Sequence, residues 1–446
     1  MNERRISGLA QKAGPSSSST RDRIVVFVSA IIFKSSFDYI CMRFLSVSDY
    51  YDLHFSGAKY VIGWMVILVF LVYVSRSQRG MLFSQKVVFL LFFLFFIPMM
   101  SLYGLMDLPS VYVSLVIAYW IFILVFEEAI PQFKVKRIKA LSVSRNALLL
   151  FIILITVILF AYTYLYNGFR ISLNLLKTYE VREIAATAGI PLSIGVLRYF
   201  AGGYLYPLLI SYLFYRKKFV LLLGAVFMEL CMFSIAMDKA FLFLIPVSFA
   251  SAVLVKRLKF ESHPKVLLSL SMVFVNVLAL MEQVLFKTVF MIVFIVRRTF
   301  LDPAVMNYFY YTVMSSRQKM YLTDSLLLHR FFNPKPVVTL IADRFFQSSL
   351  ASPNTGMFAE AYTEFGALGA VILPLVLIVT LKFVDSVSVD VEPAMMLTCL
   401  VAMALYLQNV FITGGTFFYG YILLLLFIYL FPRTERNLRE SNRKAR

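Results

Sequence analysis

Charged side chains are scarce in this sequence. Asp, Glu, Lys and Arg make up 15% of its 446 residues, whereas a soluble domain carries about a quarter. The shortage is matched by 61% hydrophobic residues, more than a water-soluble core of this size encloses. Cysteine is rarer still. Cys41, Cys231 and Cys399 lie far apart, each in or beside an apolar run, which excludes a disulfide framework and any metal-ligand spacing. They read as small packing residues. His54, His263 and His329 are isolated. Acidic residues are outnumbered 24 to 43 by Lys and Arg, a formal charge of +19. Those cations sit mostly in short segments between apolar runs, which is an orientation signal of membrane proteins and not a nucleic-acid surface. No internal repeat and no pair of symmetry-related broken helices is visible, which weakens a transporter reading.

What the chain has instead is apolar runs, at 24–42, 59–74, 87–104, 110–126, 146–165, 196–214, 218–236, 240–256, 266–286, 366–383, 394–411 and 417–431. Their lengths suit hydrocarbon-spanning helices. The expected fold is an all-α polytopic membrane protein with about twelve transmembrane helices. One membrane domain covers 24–431, between a disordered tail over 1–23 and a basic tail over 432–446. The first apolar run follows Arg21 and Arg23 without a small-residue cleavage site, so no cleavable signal is expected. The stretch 266–300 is too long for one span and is expected to continue out of the membrane or lie on it. With the N-terminus inside, segments 75–86, 127–145, 216–218 and 256–265 and the C-terminal tail collect Lys and Arg, and short outer turns such as 105–109 and 412–416 have none. Both termini are therefore expected in the cytoplasm.

Two outer loops, 166–195 and 297–365, are large and carry cations, and long loops escape the charge rule. Function is expected there. Arg170 and Arg182 in the first, and Arg297, Arg298 and Arg344 in the second, can offer guanidinium forks to phosphate oxygens. Tyr308 and Tyr311, and Tyr362 further on, offer flat faces with polar tips. The small loop 43–58, with Asp49-Tyr50-Tyr51-Asp52, could help form a substrate mouth. Around 354 the sequence suggests a helix capped by Asn354, with the N–H groups of Thr355 and Gly356 left for an anion. On that helix Met357, Glu360 and Glu364 share a face. Glu360 is expected near the outer membrane boundary, placed to act as a general base.

The string Asn354-Thr355-Gly356-x-x-Ala359-Glu360-x-Tyr362-x-x-Phe365-Gly366-x-x-Gly369 resembles the signature of O-antigen and oligosaccharide repeat-unit polymerases. Upstream, Arg298-x-x-x-x-Pro303-x-x-x-Asn307-Tyr308-x-Tyr310 resembles what precedes it in that family. The last third of the chain carries the likeness; the first half matches in outline. An Arg-x10-Gly pattern of some members is not found, because Arg344 and Gly356 are one residue too far apart. The resemblance implies a glycosyltransferase of the type C membrane architecture in the bacterial inner membrane, with the two large loops periplasmic. Its substrate would be oligosaccharide repeat units on undecaprenyl diphosphate, joined at the periplasmic face. Membrane lipid and a polysaccharide chain-length regulator are the implied partners, with no nucleic acid. Arginines would neutralise charge developing on the departing diphosphate. No Asp-x-Asp pair occurs in the outer segments, so no metal and no cofactor is expected. Two other activities fit the outline. An O-antigen ligase would pair a loop arginine with a His-Asn type motif, and here Arg330 follows His329 instead. A lipid-linked oligosaccharide flippase would set cations within the spans, where only Lys34 and Asp38 stand out early in the chain.

Overall fold

In the computed structural model, residues 17–46, 51, 53–76, 81–133, 135, 145–167, 191–236, 238–323, 337–346 and 353–432 are described. They form helices joined by turns, with no strand among them. That is what lipid demands of a spanning chain, since a helix satisfies its own backbone polar groups. The long helices are α1 (17–45), α2 (Gly57–Val74), α3 (Phe83–Leu105), α4 (Ser110–Ala129), α5 (Arg145–Asn167), α6 (192–215), α7 (Phe219–Ala236), α8 (Lys239–Leu258) and α9 (Pro264–Phe286). A π-helical segment, Ile292–Leu301, then runs into α10 (Asp302–Met314). After it come a short α11 (Val337–Ile341), α12 (Met357–Phe365), α13 (Gly369–Val387), α14 (Pro393–Leu407) and α15 (Gly415–Leu430).

Each apolar run expected from the sequence falls on a helix. Seven stretches are long and apolar enough to cross a membrane: Thr20–Leu45, Gly57–Val74, Phe83–Leu105, Ser110–Ala129, Lys239–Leu258, Pro264–Phe286 and Met357–Val387. Shorter apolar helices lie at Leu148–Thr163, Phe219–Ile235, Pro393–Leu407 and Gly420–Leu430. The chain is thus a polytopic helical membrane protein. Helix α3 is at its centre, apolar on every side and buried throughout its apolar window. Outer helices expose large apolar residues, Val220 at 85% and Val69 at 69% among them, as a lipid-facing surface does.

Polar contacts gather at two opposite ends of the helices. At one end Lys86 meets Glu261 at 2.7 Å, Arg216 meets Glu392 at 2.8 Å, and His263 meets Asp22 at 2.7 Å. There too, Lys265 donates to the carbonyls of Val74 and Arg76, and Asp385 accepts from both the N–H and the hydroxyl of Ser84. The early charges Lys34 and Asp38 pair within α1 at 2.6 Å. Lys34 also sits over the rings of Tyr60 and Trp64 on α2, and Tyr60 donates to Asp38 at 2.8 Å. They tie α1 to α2.

The stretch 266–300, too long for one span, divides into two helical pieces. Helix α9 stops at Phe286, with Lys287 in the left-handed region at φ 56°. The carboxylate of Glu282 accepts from the Thr288 hydroxyl and the N–H groups of Phe290 and Met291, at 2.5, 3.0 and 2.6 Å. Glu282 thus fastens the turn between two helices.

Candidate functional site at the opposite end

The π segment 292–301 is buried on one side through Ile292, Val296, Phe300 and Leu301. Its arginines face the other way, with the Arg297 side chain 20% and the Arg298 side chain 47% exposed. Both reach toward one carboxylate at the start of α10: Asp302 lies 3.9 Å from Arg297 and 3.5 Å from Arg298. These are ion pairs too long for strong hydrogen bonds. The Nε of Arg297 is buried and has no hydrogen-bond partner. The Tyr51 hydroxyl, from the small loop before α2, donates a hydrogen bond to Asp302. Burial raises the Asp302 carboxyl above its ordinary range, against the hydrogen bond from Tyr51 and the charges of Arg298 and Arg297, which lower it. Burial and the Asp302 charge push the Tyr51 phenol well up.

The motif string lies beside this cluster. Gln408, just after α14, donates at 2.7 Å to the carbonyl of Thr299, next to the arginines. Asn409 then binds the string. Its side-chain oxygen accepts from the Asn354 amide at 2.7 Å, and its carbonyl accepts from the Thr355 N–H at 3.1 Å. Asn354 therefore does not cap α12, contrary to the sequence expectation; Gly356 does, at φ 99° and without a side-chain cap. A Cβ there would stand 2.7 Å from the Gln408 carbonyl oxygen and 3.0 Å from the Asn307 amide. Asn307, on α10, donates to the Pro303 carbonyl and accepts from the Ala359 N–H at 2.7 Å. The α12 terminus is thus closed by protein groups.

Glu360 is fully buried. Its two oxygens accept from the N–H groups of Ile412 and Thr413 at 2.6 and 2.7 Å and from the Thr413 hydroxyl at 2.6 Å. The expected place on a polar outer face is corrected, and a carboxylate already holding three donors is better suited to fixing the α14–α15 connector than to taking a proton. Glu364 is likewise turned inward, accepting from the Leu322 N–H at 2.5 Å. Helix α12 is therefore the hub that holds the 320–322 and 408–413 connectors against α10. Its exit is as tight: a Cβ on Gly369 would lie 1.8 Å from the Ala361 oxygen.

The expected tyrosines do come together. Tyr311 lies 4.7 Å from Tyr362 and 4.8 Å from Tyr112 of α4, and Tyr308 lies 5.3 Å from Tyr112, ring centre to ring centre. The Lys319 ammonium stands 4.2 Å over Tyr362, and burial lowers its pKa. Arg344 is exposed, beside Phe345, which stacks on Phe309 at 3.8 Å. Arg170 and Arg182 lie outside the described residues. Asp302 and Gln408 escaped the sequence reading. The four-residue step from Arg298 to Asp302, one helical turn, was the available signal for the first. Nothing in the sequence signals the second.

Among the described residues no three His, Cys, Asp or Glu side chains gather as metal ligands would. No family model, curated protein or solved structure matches this chain.

Proposed function

We propose that the chain is a polymerising glycosyltransferase of the bacterial inner membrane. It crosses that membrane about twelve times, keeps both termini in the cytoplasm, and joins undecaprenyl-diphosphate-linked oligosaccharide repeat units at the periplasmic face. The carrying observation is that Arg297, with a buried unpartnered Nε, and Arg298 meet Asp302 and Tyr51 beside the polymerase-like string, at the end where the sequence suggests the large outer loops. The chemistry follows from these groups. A growing chain on undecaprenyl diphosphate is the donor, and the diphosphate leaves with the electron pair of the broken sugar–oxygen bond. Guanidinium forks of Arg297 and Arg298 bind the phosphate oxygens and take up the developing charge. The tyrosine cluster of α4, α10 and α12 offers ring faces to the sugars.

Deletion of the gene with gel analysis of surface polysaccharide tests the activity. Loss of a polymerase leaves single repeat units on the core, whereas loss of a ligase or a flippase leaves the core bare. Single cysteines read with an impermeant thiol reagent, after Cys41, Cys231 and Cys399 are replaced, test the topology. Labelling from outside is expected at 317–335 and not at 134–139, and the reverse pattern would sink the model.

A further inference from the structure

The geometry points to Asp302 as the group that takes the proton from the acceptor hydroxyl. The inference rests on the polymerase reading and assigns its base to a residue outside the polymerase-like string. Of the carboxylates on α10 and α12, Glu360 and Glu364 are turned to backbone donors of neighbouring connectors. Asp302 alone faces the arginine pair, with its side chain 11% exposed. It sits at the first position of α10, and Tyr308 and Tyr311 follow on the same helix. Partly exposed beside the two guanidinium groups that would hold the departing diphosphate, the carboxylate lies where an acceptor hydroxyl must approach to replace that diphosphate.

The step balances as follows. The acceptor O–H gives its proton to an Asp302 oxygen, and the hydroxyl oxygen forms the new bond to the donor's anomeric carbon. The bond from that carbon to the diphosphate oxygen breaks, and its electron pair departs with the diphosphate. Asp302 then returns its proton to water. The ionisable groups acting on Asp302 are Tyr51, Arg298 and Arg297. When the donor diphosphate draws the two guanidinium charges to itself, the lowering they exert on Asp302 weakens. The carboxylate becomes a stronger base only once the donor is in place, so the acceptor is not deprotonated without a partner.

The test uses the full-length protein in phospholipid vesicles supplied with lipid-diphosphate-linked repeat units, and follows polymer against pH. In the parent, activity should fall as pH drops through the Asp302 titration. Asp302→Asn should lower kcat by about a hundredfold or more, with KM little changed, and abolish that acid limb. Tyr51→Phe removes a donor that favours the charged carboxylate, so the acid limb should move to higher pH. If the parent polymerises while Asp302→Asn stays within about threefold of its rate, the assignment is overturned and the polymerase reading stands. If the parent makes no polymer from these substrates, both fall. Should Asp302→Asn not accumulate, Tyr51→Phe decides: a rate lowered equally at every pH overturns the assignment.

Discussion

Two carboxylates at the same end of the molecule have opposite surroundings. Glu360 is fully buried and accepts from three donors, two of them backbone N–H groups. Asp302 keeps some exposure, with two arginines at ion-pair distance and a buried guanidinium nitrogen left unpartnered beside it. A fully satisfied polar group rigidifies what it holds. An under-satisfied cluster of charge is a place for a ligand to complete. The most motif-like string in the chain is therefore the frame, and the chemistry belongs to its neighbour.

Five substitutions test that division, beginning with the most severe. Gly356→Ala puts a side chain at φ 99° and against the Gln408 carbonyl. The backbone strain alone costs about 1–3 kcal/mol, and the clash adds to it, so the protein should be largely lost from the membrane on immunoblots. Normal accumulation would mean the frame is looser than described. Glu360→Gln turns an amide toward the Ile412 and Thr413 donors and should lower stability by about 1–3 kcal/mol, seen as earlier melting in detergent. Activity per surviving molecule should stay within about threefold, because a lost general base would cost about a hundredfold. A hundredfold loss would reverse the comparison. Arg297→Lys or Arg298→Lys keeps charge but loses the fork. Each should cost roughly tenfold in polymer yield, about one charge-assisted hydrogen bond, with melting unchanged. Arg344→Ala should change least, within about twofold, since it lies on the exposed side of its helix, where an isolated charge contributes little; a tenfold loss would extend the site past Phe309.

Much of the fold was legible because lipid simplifies the problem. Any segment that enters it must be apolar and helical, so every expected run fell on a helix. The arginine pair and the tyrosines were legible for a related reason, being conspicuous in a chain with few charges. The fate of Asn354 was not. A side-chain amide three residues before a helix reads as a cap, and only the approach of Asn409, 55 positions on, diverts it. Glu360 was misplaced in the same way, because the Ile412 and Thr413 donors come from a connector that the sequence does not assign to α12. Local spacing fixes which residues share a face; it does not say which distant backbone fills their hydrogen bonds.

The π-helical stretch Ile292–Leu301 has a consequence for insertions and deletions. A π turn holds one residue more than an α turn, so it stores phase, and each residue of an α-helix advances the side-chain direction by about 100°. Removing one residue between 292 and 296 would let the segment relax toward α-helix while α10 stayed anchored by Asn307. Adding one would wind the arginines toward the packed side now held by Phe300. Either change keeps every residue of the cluster but alters the phase between the turn after α9 and the arginine pair. Length in this stretch is therefore as much a part of the site as composition, and a homologue with a gap here would have to restore its arginines at shifted positions to keep them in phase.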